Sequence, residues 1–333
     1  MRIGFLGAGH IATFHSKMLR ASGADVVWAG VHDVDAARAE AFARASGAAV
    51  CRTEEEVLDG ADAVYVCTWT SEHPRLVAAA AERGLPVFCE KPLATDLAGA
   101  RAMAETVRAA GITNQVGLVL RRSPAFLAVR ELVHDPAAGD LVTVVFRDDQ
   151  WMPVPGAYGS TWRGDVDKAG AGTLLEHSIH DLDLLEATLA PITAVAARSA
   201  NRHGMAGIED LMVVTLDFRG GATGTLTSIW HDIEARGSLR RVEVFCERRW
   251  VALEHDWTGP VRWTDAGGGG GVLDRDALGF GENPDGAFVE AARAGGPAWP
   301  DFDVGVRAHE VADAIYRSAA AGGLRVAVPG EAG

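Results

Sequence analysis

Arg2-Ile3-Gly4-Phe5-Leu6 runs straight into Gly7-Ala8-Gly9-His10-Ile11-Ala12, and the reading of that junction decides the fold. A short apolar strand followed by G-x-G-x-x-A at the opening of a helix is the arrangement that binds a dinucleotide pyrophosphate. The first glycine makes the tight turn, and the second lets backbone approach the phosphates. Ala12, small at the third position, permits close packing of helix on sheet. The phosphates then lie on the helix N-terminus, whose unpaired N–H groups and dipole favour negative charge. Gly7, Gly9, His10 and Ile11 are therefore candidate cofactor-binding residues. Such glycine patterns recur by chance; the weight here comes from the position, after a strand and before a helix.

Outward from this junction the chain alternates. Asp25 to Val31 reads as a second strand ending in His32-Asp33. Asp33 stands where an acid hydrogen-bonds an adenosine ribose and repels a 2′-phosphate, which favours NAD over NADP. The rival role for Asp33, capping the next helix, falls better to Asp35. Arg38, one turn into that helix, is within reach of a 2′-phosphate, so NADP stays open. Thr53-Glu54-Glu55-Glu56 reads as a capping box. Ala63 to Cys67 is a buried strand leading into Thr68-Trp69, and Val87 to Cys89 is another. A helix capped by Thr95 ends before Gly111, and Asn114 to Leu120 reads as a sixth strand. This alternation predicts a doubly wound parallel sheet, so residues 1–120 read as a Rossmann dinucleotide-binding domain.

Val87-Phe88-Cys89-Glu90-Lys91-Pro92 is the second informative stretch. Proline keeps the residue before it out of the helical region, so Lys91 stays extended. On a parallel strand it projects off the carboxyl end, where open α/β sheets bind ligands. Taken alone, the stretch also fits a solvated lysine before a turn proline.

From about Leu141 the pattern changes. Val142–Phe146, Leu211–Phe218, Ala222–Ile229, Arg241–Cys246 and Trp250–Glu254 read as strands, with hairpin turns at Arg219-Gly220-Gly221 and Glu247-Arg248-Arg249. Residues 121–333 therefore read as an α+β domain with a large, mostly antiparallel open sheet. Gly267 to Gly271 reads as a loop, with a lid as the alternative. A final helix spans about Gly305 to Ala320. One helix, Gly170 to Asp183, interrupts the strands with a buried stripe of Leu175, Ile179, Leu182 and Leu185. Glu176 and His180 lie four apart on it, the spacing at which a carboxylate orients an imidazole base. A solvated acid–histidine pair is the other reading. A metal site from Glu176, His177 and His180 is disfavoured, because positions 176 and 177 point about 100° apart on an α-helix.

Composition sets the limits. At 333 residues two domains are the default, and 48% hydrophobic with 23% charged residues describes a globular chain. The net charge of −14 argues against a nucleic-acid partner. Cys51, Cys67, Cys89 and Cys246 are scattered as reduced core cysteines are, with no metal spacing. Without an apolar leader or a run of membrane-spanning length, the expected location is cytoplasmic.

Gly7-Ala8-Gly9-His10-Ile11-Ala12, Glu90-Lys91-Pro92 and the Gly172–Asp183 helix together resemble the Gfo/Idh/MocA family of oxidoreductases, with Arg121-Arg122-Ser123-Pro124, Trp162-Arg163 and Ala314-Ile315-Tyr316-Arg317-Ser318 also fitting. The resemblance implies a Rossmann domain, then an α/β domain whose open sheet joins subunits into a homodimer or homotetramer. It also implies NAD(P)-dependent hydride transfer at a secondary alcohol or ketone of a sugar, inositol or related polyol. The catalytic lysine falls on Lys91 and the histidine on His180, with Glu176 where an aspartate is usual and Ser178 where a glycine is usual. Trp69 stands where a proline is common. Thr68, Glu90, Lys91 and Arg163 join the cofactor-contact candidates. Lys91, His180, Trp162, His177 and Arg121 are the substrate-contact candidates, and Trp162 fits a core position equally well. The remaining histidines, His15 among them, read as surface or core residues. Alternatives are a redox-neutral sugar enzyme that oxidises transiently with held NAD, a non-catalytic NAD-binding regulator, and an NADPH-dependent imine or enone reductase. The set Lys91, Glu176 and His180 speaks against the regulator, and Asp33 against NADPH.

Overall fold

The computed structural model describes residues 1–154, 160–233 and 235–330. These form two compact units, the first made of Met1–Val119 with Glu282–Val306, the second of Leu120–Gly281 with the chain from Arg307 onward. The segment Glu282–Val306, which the sequence pattern groups with the second half, thus belongs to the first unit.

In the first unit, strands β1 (Arg2–Leu6), β2 (Val27–His32), β3 (Ala63–Val66), β4 (Val87–Cys89) and β5 (Asn114–Val116) form a sheet of order β2-β1-β3-β4-β5. Every pairing in it is parallel. Helices α1 (His10–Ala21), α2 (Ala36–Ser46), α3 (Glu54–Gly60), α4 (His73–Glu82) and α5 (Leu97–Ala110) connect the strands. Side chains cap three of them: Asp35 accepts from the Ala37 and Arg38 N–H groups, Thr53 from Glu56, and Asp96, rather than Thr95, from Gly99. Among the described residues the sheet has five strands. The sixth strand expected at Asn114–Leu120 shortens to β5, because the chain bends after Val116. There the Leu118 N–H donates to the Val116 carbonyl (2.8 Å), and Val119–Arg122 is a 3₁₀ turn. The core is strongly aromatic: Tyr65 stacks on Phe88 at 4.7 Å, and Phe288, from the returning segment, meets both edge-on at 5.5 and 5.8 Å.

The second unit is built on a nine-stranded sheet: β6 (Leu141–Trp151), β7 (Ile192–Ala200), β8 (Leu211–Phe218), β9 (Thr223–His231), β10 (Leu239–Cys246), β11 (Arg249–Leu253), β12 (Val261–Asp265), β13 (Gly270–Leu273) and β14 (Val326–Ala327). Their order is β13-β12-β11-β10-β6-β9-β8-β7-β14. Among the described residues, only β6–β9 is a parallel pair in this sheet. The glycine run is a hairpin turn rather than a free loop or lid: the Asp265 N–H donates to the Gly269 carbonyl (2.8 Å), and Gly270 and Gly271 already pair with β12. β7, β12, β13 and β14 lacked a readable signal, being short or rich in alanine and glycine. One face of the sheet is covered by α6 (Pro124–His134), by α8 (Ile179–Thr188) and by the C-terminal part of the Phe302–Ala320 helix. A short helix, α7 (Val166–Ala169), precedes α8.

The approach to α8 is fixed by one contact. Glu209 is buried, and its carboxylate accepts from the N–H groups of Gly172 (2.8 Å) and Leu174 (3.0 Å) and from the Tyr316 hydroxyl (2.9 Å). Gly172 lies so close that a Cβ there would fall 1.8 Å from the Glu209 carbonyl oxygen. Gly172→Ala is therefore expected to cost about 3 kcal/mol or more of stability, measured by denaturant unfolding against wild type.

Candidate functional site

The glycine turn has the form that a dinucleotide requires. Gly7 adopts φ +93°, and a Cβ there would lie 2.6 Å from the Cys67 carbonyl oxygen, so glycine is the residue the position admits. Gly9 caps α1 in an extended conformation, without a side-chain cap, and open space lies where its Cβ would be. The first N–H groups of α1 thus lie next to open space, with His10 and Ile11 exposed beside it. Asp33 closes the turn from β2: its carboxylate accepts from the Ala8 N–H (2.7 Å) and the Asp35 N–H (2.8 Å). Its remaining lone pairs suit ribose hydroxyls. Arg38 leans back on Asp35 at 3.4 Å. Thr68, just past β3, has a buried hydroxyl with no hydrogen-bond partner among the described residues, which suits a ribose or nicotinamide group. These residues fit NAD.

At the end of β4 lies an arrangement that the sequence reading missed. Glu90 is buried, and one carboxylate oxygen accepts from the Lys91 N–H at 3.1 Å while the other is 2.7 Å from His15 Nε2. His15 Nδ1 is 2.7 Å from Asp285 on the returning segment. Gly117 leaves the Glu90 carboxylate its room, since a Cβ there would fall 2.8 Å from Oε1. Burial alone would lower the His15 pKa, but Asp285 and then Glu90 outweigh it and raise it to about 10. Burial likewise pushes Glu90 up, and His15 and Lys91 more than reverse that. Lys91 itself is half-buried, its bond to Pro92 is cis, and the buried His73 donates Nδ1–H to the Pro92 carbonyl (2.9 Å). His15 falls on the buried stripe of α1 with Ala12, Ser16 and Leu19, where its sequence signal is that of a core residue.

In the second unit the helix bearing Glu176 and His180 is not regular. Leu174–Ser178 is a π-helical turn that leads into α8 at Ile179. Glu176 lies within this π-helical turn, and His180 lies in the first turn of α8. The buried Glu176 carboxylate accepts from Arg163 Nε at 2.5 Å, and the Arg163 guanidinium lies 4.4 Å above the Trp162 ring. Trp162 also packs against the Met152, Ala169, Ile208 and Trp230 cluster, the core role among its two readings. Ser178 takes the place usually given to glycine because its hydroxyl is held, donating to Asp148 (2.8 Å) and bonding Ser228 (2.6 Å). His177 and His180 are half-buried, and the charge of His177 acts on Asp148.

Arg121, a substrate-contact candidate, grips Asp183 through Nε at 2.6 and 2.7 Å. Burial still pushes Asp183 up to about 6. Among the described residues no cluster of three His, Cys, Asp or Glu side chains is set to hold a metal ion. Nor is any described helix long and apolar enough to cross a membrane.

Residues 1–118 match the oxidoreductase family described as having an NAD-binding Rossmann fold, and residues 126–252 match the GFO/IDH/MocA C-terminal domain. An inositol 2-dehydrogenase of Rhizobium meliloti (strain 1021) is 31% identical over 96% of this chain and 97% of its own length. The scyllo-inositol 2-dehydrogenase (NAD(+)) of Bacillus subtilis (strain 168) is 33% identical over 71% of this chain and 70% of its own. Levoglucosan dehydrogenase in complex with NADH shares the fold, with a TM-score of 0.88, 22% identity and 99% of each chain covered. A glycine-turn Rossmann unit joined to this large, mostly antiparallel sheet is the architecture of an NAD-dependent oxidoreductase. The chain belongs to the GFO/IDH/MocA oxidoreductase family.

The raised His15 pKa links charge to stability. Its contribution is whole below the unfolded value of about 6.5 and is lost as pH rises toward 10. Wild type is expected to lose roughly 4 kcal/mol more than His15→Gln between pH 6.5 and 10, measured by guanidinium unfolding across that range.

Proposed function

We propose that the protein is a dehydrogenase moving a hydride between NAD and a secondary alcohol or ketone carbon of a sugar or cyclitol. The observation that carries this reading is the similarity to an inositol 2-dehydrogenase along nearly the whole chain. A lysine at the carboxyl end of β4 adds to it. Bound NAD supplies the hydride acceptor. The chain's residues supply the rest: Lys91, cationic, stabilises the oxygen as it becomes an alkoxide and polarises the carbonyl in reverse. His180 takes the hydroxyl proton. Glu176 is held by Arg163 in the turn before His180. Asp33, set against the glycine turn, and Arg38, leaning on Asp35, support NAD over NADP.

The outer face of the large sheet supports a homodimer or homotetramer. On it Val145, Val213 and Phe245 are 49%, 42% and 40% exposed, in register with Thr225, Thr227 and Thr143 of neighbouring strands. Val145→Glu with Val213→Glu is expected to yield monomers by light scattering, and an unchanged mass would refute that surface. The four free cysteines suit a reducing, cytoplasmic compartment.

In an assay of NAD reduction over inositols, aldoses and sugar acids, one class is expected to turn over. Lys91→Met is expected to lose turnover by about 100- to 1,000-fold while still binding NADH. Turnover retained in Lys91→Met would overturn the role given to the lysine. Silence across the whole panel would overturn the substrate class.

A further inference from the structure

We infer that His15 is a positioning residue for Lys91: as a buried imidazolium clamped between Asp285 and Glu90, it fixes the carboxylate that holds the Lys91 backbone. This deepens the proposed function and rests on its reading of Lys91 as the group beside the reacting oxygen.

The geometry suits a ring protonated on both nitrogens. Each ring nitrogen of His15 lies 2.7 Å from a carboxylate oxygen, and the side chain is fully buried. Ionised carboxylates only accept, so both nitrogens donate, and a ring donating from both carries a positive charge. The surroundings keep that charge local. Phe88 and Tyr65 wall the ring at 4.7 and 5.5 Å, and Phe14 meets it edge-on at 5.8 Å. Other titratable groups nearby supply no replacement cation. The Tyr65 phenol is pushed up by burial and by Asp285, the Cys67 thiol by burial and by Glu90, and the Cys89 thiol by burial and by Glu90. Burial keeps His73 low. Asp285, His15, Glu90 and Lys91 thus form a row of alternating charge that sums to zero.

Position passes along the same row. Asp285 follows the Asn283 cap of the Pro284–Ala294 helix, and the Asn283 amide donates to the Met18 carbonyl of α1 at 2.9 Å, so both ends of the clamp are braced. Glu90, wedged against Gly117, has one oxygen on His15 and the other on the Lys91 N–H. Without the imidazolium, two buried carboxylates lose their shared cation, and Glu90 must turn, protonate or draw on Lys91. In each case the ammonium is displaced or its proton affinity altered.

The chain makes this directly readable, because Lys17, Lys91 and Lys168 are its lysines. Reductive methylation with ¹³C-formaldehyde gives each a separate methyl resonance, with Lys91→Met assigning the one of interest. In His15→Gln, which carries no charge, the Lys91 titration midpoint is expected to shift by about one unit. Its resonance is expected to move toward that of Lys17, while NADH binding, measured by fluorescence, persists. An unmoved midpoint and resonance in a folded His15→Gln overturn the inference.

Should His15→Gln fail to fold, ¹⁵N-histidine spectra of wild type decide. A ring protonated on both nitrogens at pH 8.5 is expected, and a neutral tautomer there overturns the clamp. Turnover separates the two readings. Retained activity in Lys91→Met sinks the role of the lysine and leaves the clamp measurable. An inactive Lys91→Met beside a fully active His15→Gln sinks only the positioning role. When added to Lys91→Met, His15→Gln is expected to cost little further turnover, since both act through one group.

Discussion

A carboxylate removed from water must find positive charge and hydrogen-bond donors or give up its own charge. In the first unit that constraint falls on Glu90, and much else is shaped to meet it. Gly117 is bare because the carboxylate occupies the space of a side chain. An imidazole sits on the inner face of α1, among positions that would otherwise be aliphatic. A second acid, Asp285, faces the other side of that imidazole, so a neutral tautomer could donate to only one of the two. The glycine turn and the lysine loop are then two ends of one braced object, since α1 carries both Gly9 and His15.

The second unit solves the same problem with guanidinium groups. Arg240 reaches Asp181 at 2.6 Å and Asp256 at 2.8 Å, with Asp148 at 3.7 Å, while Arg121 holds Asp183. Burial pushes Asp181 up, with the Asp148 charge adding to it, while Arg240 favours its carboxylate. Ser178 ties the π-helical turn to this network through Asp148. The turn that carries His177 and leads into α8 is therefore anchored by polar contacts as well as by apolar packing.

How much of this was legible depended on sequence distance. The parallel sheet was readable because strand, glycine turn and helix are contiguous, and each local signal agrees with the next. Asp35 as a cap and the apolar stripe of α8 were readable for the same reason. The π-helical turn was not, because a single inserted residue leaves the 3.6-residue pattern of Leu175, Ile179 and Leu182 nearly intact. The ion pair between Arg163 and Glu176 spans 13 residues across a loop, and that between His15 and Asp285 spans 270. No periodicity reports a pairing of that kind. His15 looked like a core residue, which by burial it is. Its charge became visible only when its partners did.

The return of Glu282–Val306 to the first unit bears on the order in which the chain is made. On a ribosome, the five parallel strands emerge by residue 116, while the carboxylate that completes the His15 clamp lies at residue 285. At about 5–20 residues per second, the stretch between them takes on the order of 10 s or more to synthesise. Through that interval the nascent sheet lacks Phe288 from its aromatic core and Asp285 from its charge row. The nucleotide-binding unit is thus first in sequence and among the last to be finished.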